Sequence, residues 1–235
     1  MNRRTASKNT LSPPKGVRQW PKKPAEAERQ AASHLARYVL AEKYVTGKNV
    51  CDVACGVGYG SRYLARTAQK VTAMDISPEA IEWAVKYFSA ENVRFLAADA
   101  VKLWPVEDKF DVITSFETME HLENPEVFLK NVYDHLSPSG VLLLSVPNGP
   151  RDKRKTDNPH HLHHFTDTGL KTLIRKYFSS ADFFSQAYKK DFRHYGTKCL
   201  RKIKLLRKQP YFVHNYFLKP GLCEDLKTWF VIAHK

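Results

Sequence analysis

Acidic, glycine and histidine residues recur in this chain at spacings that chemistry can use. Asp52, Asp75 and Asp99 each fall at the end of a short apolar run, and Gly56, Gly58 and Gly60 stand between the first two, spaced G-x-G-x-G. Glycines at such a junction let the backbone approach a ligand more closely than any side chain permits. An aspartate about 20 residues further on can accept hydrogen bonds from both hydroxyls of a ribose. A glycine pattern alone is a weak signal, and the following acidic residue strengthens it. Later come Glu117, Glu120 and His121, whose i, i+3, i+4 spacing puts three side chains on one side of a helical turn. The loop "NPHHLHHF" adds His160, His161, His163 and His164. Together these groups offer ligands to a divalent cation, or a histidine as general base for a hydroxyl, the imidazole pKa being suited to it. A surface loop that gates the site is the third reading of the four histidines.

The elements that must position these groups follow from periodicity. "NVCDVAC" reads as a first strand and "YGSRYLART" as the helix after it, with "KVTAMDIS" as a second strand ending in Asp75. Ser77 before Pro78 is a good N-cap for the helix "PEAIEWAVKYFS". "VRFLAADA" makes a third strand ending at Asp99, "FDVITSFE" a fourth ending at Ser115 to Glu117, and "VLLLSVPN" a fifth. The spacing predicts a helix over "PEVFLKNVYDHLSPSG", with Gly140 near its end. Ahead of the first strand, residues 25–46 carry Ala31, Leu35, Tyr38, Val39, Glu42 and Val45 at helical spacing, with Gly47 as the stop. Alternating strands and helices imply parallel βαβ units whose ligands bind beyond the carboxyl ends of the strands. After Asn148 come a polar loop, a helix over "TDTGLKTLIRKYF" capped by Thr166 or Thr168, a sixth strand "SSADFFSQ" and a final strand "KTWFVIAHK".

With 235 residues, 43% of them hydrophobic, the chain can bury one sizeable core, and one domain over 25–235 is expected. Residues 1–24 hold seven Lys/Arg, no acid and few apolar residues, and read as a disordered basic arm. The net charge of +14 is uneven: residues 25–150 carry 12 basic and 17 acidic residues, residues 151–235 carry 19 and 7. Basic ends suit an anionic partner such as nucleic acid, a phosphorylated sugar carrier or a membrane surface, or equally a solvated surface. The stretch at about 189–223 interleaves Arg193, Lys198, Arg201, Lys202, Lys204, Arg207 and Lys208 with Tyr195, Tyr211, Phe212, Tyr216 and Phe217. It reads as a basic aromatic insertion able to grip phosphate and stack on rings, or as a lid packed on the sheet. No apolar run reaches the roughly 20 residues of a membrane helix, and four sparse cysteines read as reduced thiols, so a cytoplasmic protein is expected. Oligomeric state is not legible.

Taken in order, "DVACGVGYG", "VTAMDIS", "FLAADA", "FDVITSFETMEHL" and "LSPSGVLLLSVPN" resemble five successive motifs of the class I S-adenosylmethionine-dependent methyltransferases, over roughly residues 30–188 and again at the last strand. The resemblance implies an α/β, Rossmann-like doubly wound fold: a mostly parallel seven-stranded sheet with an antiparallel final strand. It implies that Asp52 and the backbone from Ala54 through Gly56 to Gly58 hold the methionyl end of S-adenosylmethionine, and that Asp75, with Ile76, meets the ribose. Asp99 and Ala100 would meet the adenine, and Ser115 and Phe116 would close over the cofactor. By residue chemistry alone, Asp99 can instead cap the next turn. Glu-x-x-Glu-His with a later histidine resembles small-RNA 2′-O-methyltransferases and ubiquinone-pathway O-methyltransferases, which implies a cation on Glu117, Glu120, His121 and His161. Without a cation, His121, His161 or His164 is the candidate base. "HLARYVLAEKYVTGKNVCDVACGVGYGS" and "DNPHHLHHFT" also resemble methyltransferases of polysaccharide and secondary biosynthesis. The expected reaction is therefore O-methylation of a small-molecule or glycan acceptor. An RNA methyltransferase using the basic ends, and a fold that only binds, are the alternatives.

Overall fold

The computed structural model describes residues 24–148, 160–192, 194, 195, 197 and 213–235. The expected basic arm therefore falls outside the described residues except for Pro24, as do Cys199, all seven Lys and Arg positions between 193 and 208, Tyr211 and Phe212. In order the elements are α1 (Pro24–Val45), β1 (Asn49–Val53), α2 (Tyr59–Leu64), β2 (Lys70–Asp75), α3 (Pro78–Phe88), β3 (Val93–Ala97) and β4 (Phe110–Phe116). Then come α4 (Pro125–His135), β5 (Leu136–Pro147), α5 (Asp167–Arg175), β6 (Ser180–Tyr188), β7 (Tyr216–Pro220) and β8 (Thr228–His234). Single 3₁₀ turns lie at Met119–His121 and Val213–Asn215.

The sheet runs β3-β2-β1-β4-β5-β8-β6-β7. The first five strands pair in parallel, and β8 lies antiparallel between β5 and β6. The α/β doubly wound architecture and the antiparallel final strand are as expected, but among the described residues the sheet has eight strands rather than seven. The additional strand, β7, pairs antiparallel to the outer side of β6 and comes from the segment read as an insertion. Mixed aromatic and basic composition hid it, since Tyr216 and Leu218 are half-buried while Phe217, Lys219 and Pro220 face outward at the sheet's edge. Because β6 runs antiparallel to β8, its carboxyl end returns to the edge where β1, β4 and β5 end.

Both faces of the sheet are covered. Cys51, Val53, Leu142, Leu144, Trp229 and Val231 point into one core with Phe128, Leu129 and Leu170, while Val50, Leu143, Phe230 and Ile232 join Tyr38, Ala41 and Leu64 in the other. This is why β5 reads as an apolar run rather than as an alternating strand, and why β8, expected to alternate, is buried along almost its whole length. Ser77 caps α3 by accepting from the Ala80 amide at 3.2 Å, and Thr166 caps α5 by accepting from Gly169 at 3.0 Å, both as expected. Among the described residues the cysteines Cys51, Cys55 and Cys223 are free thiols, and no helix is long and apolar enough to cross a membrane.

Two local expectations are corrected. Helix α4 stops at His135, five residues before Gly140, because Pro138 lacks an amide proton and disfavours a helical residue before it. Leu136 instead opens β5 and partners Phe110, after which the register shifts so that Val112 partners Val141, the extra residues lying in β5. On α1 the buried face consists of Ala32, Ala36, Tyr38, Ala41 and Val45, with Leu35, Val39 and Glu42 only half-buried. Small alanines let that helix lie close to the sheet, and Arg37, 2% exposed, shares their face.

Candidate active site

The strand-to-helix turn after β1 is built around close approaches. Ala54 adopts φ +60°, a left-handed conformation rare for a residue with a Cβ. Gly56 is left-handed too, and the space its Cβ would fill is open. At Gly58, φ +87°, a Cβ would come within 2.6 Å of Ala84 and 2.8 Å of Phe95, so this glycine lets the turn pack on α3 and β3. Asp52 faces inward: its carboxylate accepts from Ser61 Oγ at 2.6 Å and Thr114 Oγ1 at 2.7 Å. It joins β1 to α2 and β4, and burial pushes its pKa up to about 6 against the opposing hydrogen bonds.

Asp75 ends β2 beside this turn, accepting from the Gly56 amide at 2.8 Å and the Ser77 amide at 2.9 Å. The glycine turn and the second acidic residue are thus directly joined, and Ile76 next to them is 63% exposed. Strand β3 ends at Ala97, two residues short of the expected Asp99, which forms a turn by accepting from Val101 N at 3.1 Å. Ala100 is tied inward through its carbonyl, an acceptor for Trp104 Nε1 and Asn131 Nδ2 at 3.1 and 3.0 Å. Ser115 is fully buried, and its Oγ has no hydrogen-bond partner. The Phe116 ring packs edge-on against Tyr38, 5.0 Å between centroids, and against Phe230.

Beyond β4 the chain turns sharply at Glu117, φ +56°, into the 3₁₀ turn Met119–His121. The histidine loop docks on that turn: Leu162 and His163 donate their amides to the Glu120 carbonyl at 2.8 and 3.1 Å. His121 Nδ1 lies 2.8 Å from the His160 carbonyl, which can only accept, so Nδ1 carries the proton and Nε2 presents its lone pair. Glu120, His121 and His161 offer ligand atoms within 4.8 Å of one another. Glu120 is fully buried with no hydrogen-bond partner for either carboxylate oxygen, and His121 Nε2 lies 3.7 Å from its Oε1. Burial first, and Glu117 second, push its pKa well up. His161 is pushed down to about 4 by burial and by the neighbouring histidines His121, His164 and His160, so its imidazole is neutral at physiological pH. His164 is exposed, its ring 5.9 Å from that of His161, and His163 stacks on Phe165.

Glu117 stands apart from this cluster. Its amide donates to the Ser145 carbonyl at 3.0 Å, its Oε1 accepts from Ser145 Oγ at 3.0 Å, and Arg37 Nη2 lies 3.5 Å from the same oxygen. Arg37 also donates through Nε to Gln186 Oε1 at 3.1 Å and through Nη2 to Thr228 Oγ1 at 3.2 Å. Sequence reasoning passed over Arg37, Ser145, Gln186 and Thr228. For Arg37 the signal was a charge at helical spacing from Ser33 and Ala41, inside a stripe of small residues; for the others no local pattern exists.

A family described as a methyltransferase domain matches residues 25–199. The mitochondrial ubiquinone biosynthesis O-methyltransferase of Schizosaccharomyces pombe is 38% identical over 105 residues, which cover 43% of this chain and 38% of that protein. The ubiquinone biosynthesis O-methyltransferase of Coxiella burnetii is 32% identical over 114 residues, 48% of this chain and 49% of that one. The chain spans less than half the length of these curated relatives. Among solved structures, N-methyltransferase NodS from Bradyrhizobium japonicum WM9, in complex with S-adenosyl-l-homocysteine, superposes with a TM-score of 0.57 at 17% identity, over 91% of this chain and 89% of that one. At that identity the likeness concerns the fold alone.

Proposed function

The chain belongs to the methyltransferase domain family, and on that premise we propose that it transfers the methyl group of S-adenosylmethionine to an oxygen of a small-molecule or glycan acceptor. The observation that carries this reading is the meeting, at one sheet edge, of the Gly56–Asp75 pair with the Glu120, His121 and His161 cluster. The open space at Gly56 and the orphaned Ser115 hydroxyl fit a bound nucleoside cofactor. In this reading Asp75, with Ile76 beside it, takes the ribose hydroxyls. The backbone at Ala54, Gly56 and Gly58 borders the methionyl end, Asp99 and Ala100 border the adenine, and Ser115 and Phe116 line the floor. Asp52 holds the turn in place from inside. When bound, S-adenosylmethionine supplies a sulfonium-activated methyl carbon, so the protein's task is to align the acceptor oxygen and exclude water.

A hydroxyl acceptor must also shed its proton. Histidine is an efficient general base when its pKa lies near the working pH, and His161 at about 4 lies well below it. A neutral, half-buried imidazole is a good cation ligand instead, and the unsatisfied Glu120 carboxylate beside it fits a divalent cation. A cation there would supply Lewis acidity toward the acceptor hydroxyl, whose proton would then pass to solvent water as the methyl group leaves the sulfonium. His121 turns its Nε2 to the cluster because His160 holds the other nitrogen, and His164 is left to contact the acceptor. The relatives named for O-methylation support oxygen over nitrogen. The free thiols support a reducing, cytoplasmic setting.

The test is calorimetric binding of S-adenosylmethionine followed by transfer of a labelled methyl group to panels of phenols, diols, glycans, amines and RNA, with and without chelator. Asp75→Ala should lose cofactor affinity, whereas Glu120→Gln should retain it and lose turnover. Absence of cofactor binding, or label found only on amines or RNA, overturns the reading.

A further inference from the structure

We infer that Arg37 is a positioning residue that holds Glu117 out of the cation cluster, so that the site offers three protein ligands, Glu120, His121 and His161, with a fourth carboxylate locked in reserve. The inference rests on the cation reading proposed above. By sequence spacing Glu117 belongs with Glu120 and His121, yet the two carboxylates have opposite surroundings. Glu120 is fully buried with both oxygens unsatisfied, whereas Glu117 Oε1 receives Ser145 Oγ at 3.0 Å and faces Arg37 Nη2 at 3.5 Å.

Three features make the separation durable. Arg37 is itself fixed by Gln186 on β6 and Thr228 on β8, at 3.1 and 3.2 Å, so its guanidinium cannot follow Glu117. The Glu117 amide is anchored to Ser145 on β5, which sets the direction in which its side chain leaves the chain. Finally, Arg37 is 2% exposed and its Nη1 already lacks a partner, so withdrawing Glu117 would remove the one carboxylate within ion-pair distance of this buried cation among the described residues, leaving Glu120 to act on it only at longer range. Ligand number and charge set cation affinity, and a site with fewer protein ligands leaves more positions for water or for acceptor oxygens. Arg37 thereby keeps room on the cation for a substrate.

The experiment measures Mn²⁺ binding to the full chain without methyl donor, by calorimetry for affinity and by pulsed electron paramagnetic resonance for the number of bound waters. The variants are Arg37→Met, and Arg37→Met combined with Glu117→Gln, which removes both charges and leaves the net charge unchanged. The double variant should bind Mn²⁺ as the wild type does, because neither residue is a ligand. Arg37→Met alone should bind about tenfold more tightly, a size within the coupling seen between contacting residues, and with fewer bound waters as Glu117 joins the cation. A double variant about tenfold weaker than wild type would show Glu117 to be a ligand already, and overturn the inference while leaving the cation reading intact. Tighter binding by Arg37→Met with an unchanged water count would reduce Arg37 to a simple repulsive charge, which also overturns it. If wild type binds no Mn²⁺ and Arg37→Met does, the lock stands and the cation reading of the native chain falls. If neither binds, both fall. Should Arg37→Met fail to fold, the charge-balanced double variant decides.

Discussion

Replacing Asp52 by Asn tests whether burial governs the carboxylate that joins β1 to α2 and β4. The swap preserves shape: the Asn carbonyl still accepts from one hydroxyl, and its amide donates to the other, whose own proton turns away. Thr114 has an outlet for that proton, since its Oγ1 also lies 3.4 Å from the Cys51 carbonyl. Burial raises the Asp52 pKa from 3.8 to about 6, so the folded state holds this proton more tightly than the unfolded chain does. The sign follows. Below about pH 4 both states are protonated and the group contributes nothing to pH dependence. As pH rises, the unfolded chain ionises first, and stability falls by about 1.4 kcal/mol per pH unit until the folded carboxyl ionises in turn. The loss saturates above pH 6 at about 3 kcal/mol, and it is absent in the asparagine variant. Glu120 is shifted the same way, while His34 and His161 are lowered and weaken the fold toward acid, so wild-type stability alone mixes these effects. The difference between Asp52→Asn and wild type isolates the one group. In urea unfolding from pH 4 to pH 8 without ligand, that difference should move by about 2.5 kcal/mol in favour of asparagine as pH rises, the unfolded carboxyl being already part-ionised at pH 4. A flat difference, or one moving toward aspartate, would refute burial as the dominant influence.

Two backbone predictions concern the same turn. Ala54 stands at φ +60°, where a left-handed L-residue costs about 1–2 kcal/mol against about 0.5–1 kcal/mol for the greater unfolded-state freedom of glycine. Ala54→Gly should therefore stabilise the protein by roughly 0.5–1 kcal/mol, read as a higher urea midpoint at unchanged slope; a lower midpoint would mean the alanine methyl is needed for packing. Gly60→Ala should destabilise by about 1–3 kcal/mol in thermal unfolding, since the new Cβ would overlap the buried Tyr38 ring, and the same change made in a Tyr38→Ala background should cost less. A variant as stable as wild type would show that α1 can move away from α2 at little cost.

Local signals in the sequence determined more of the sheet than of the site. Strands β1 to β4 and the apolar second half of β5 are runs closed by turn-forming residues, and the caps at Ser77 and Thr166 are set by their own residues, so both were legible, whereas the Leu136–Gly140 start of β5 read as helix. Strand β7 was not, because an edge strand buries one face and its sequence resembles a surface loop. Within the site, the nearness of His161 to Glu120 and His121 could be expected, since β4 and β5 are adjacent and both loops leave the same edge. The direction of Asp52 could not, because a strand-end carboxylate serves the ligand or the core equally well until Ser61 and Thr114 are placed around it. Arg37 was hidden for a similar reason. Its partners Glu117, Gln186 and Thr228 come from three other parts of the chain, and only the closed sheet brings them together.

The two non-glycine residues in left-handed conformation among the described residues explain why the site lies where it does. Ala54 follows β1 and Glu117 follows β4, two adjacent strands whose chains leave the sheet in opposite directions, toward β2 and toward β5. In an open α/β sheet that divergence makes a crevice at the carboxyl edge. Each strained turn is fastened to the strand on its own side: Cys55 N donates to the Met74 carbonyl at 2.9 Å, and Glu117 N to the Ser145 carbonyl at 3.0 Å. Strand pairing thus offsets the cost of each left-handed residue and points the following segment to one wall. The β2 wall receives Gly56 and Asp75, and the β5 wall receives Glu120, His121 and the loop carrying His161. In the proposed reaction the methyl donor belongs to the first wall and acceptor activation to the second, so transfer runs across the crevice. A change on one wall should then alter either donor affinity or acceptor turnover, and a residue such as Asp52, which braces β1 against β4, should alter both through the spacing between them.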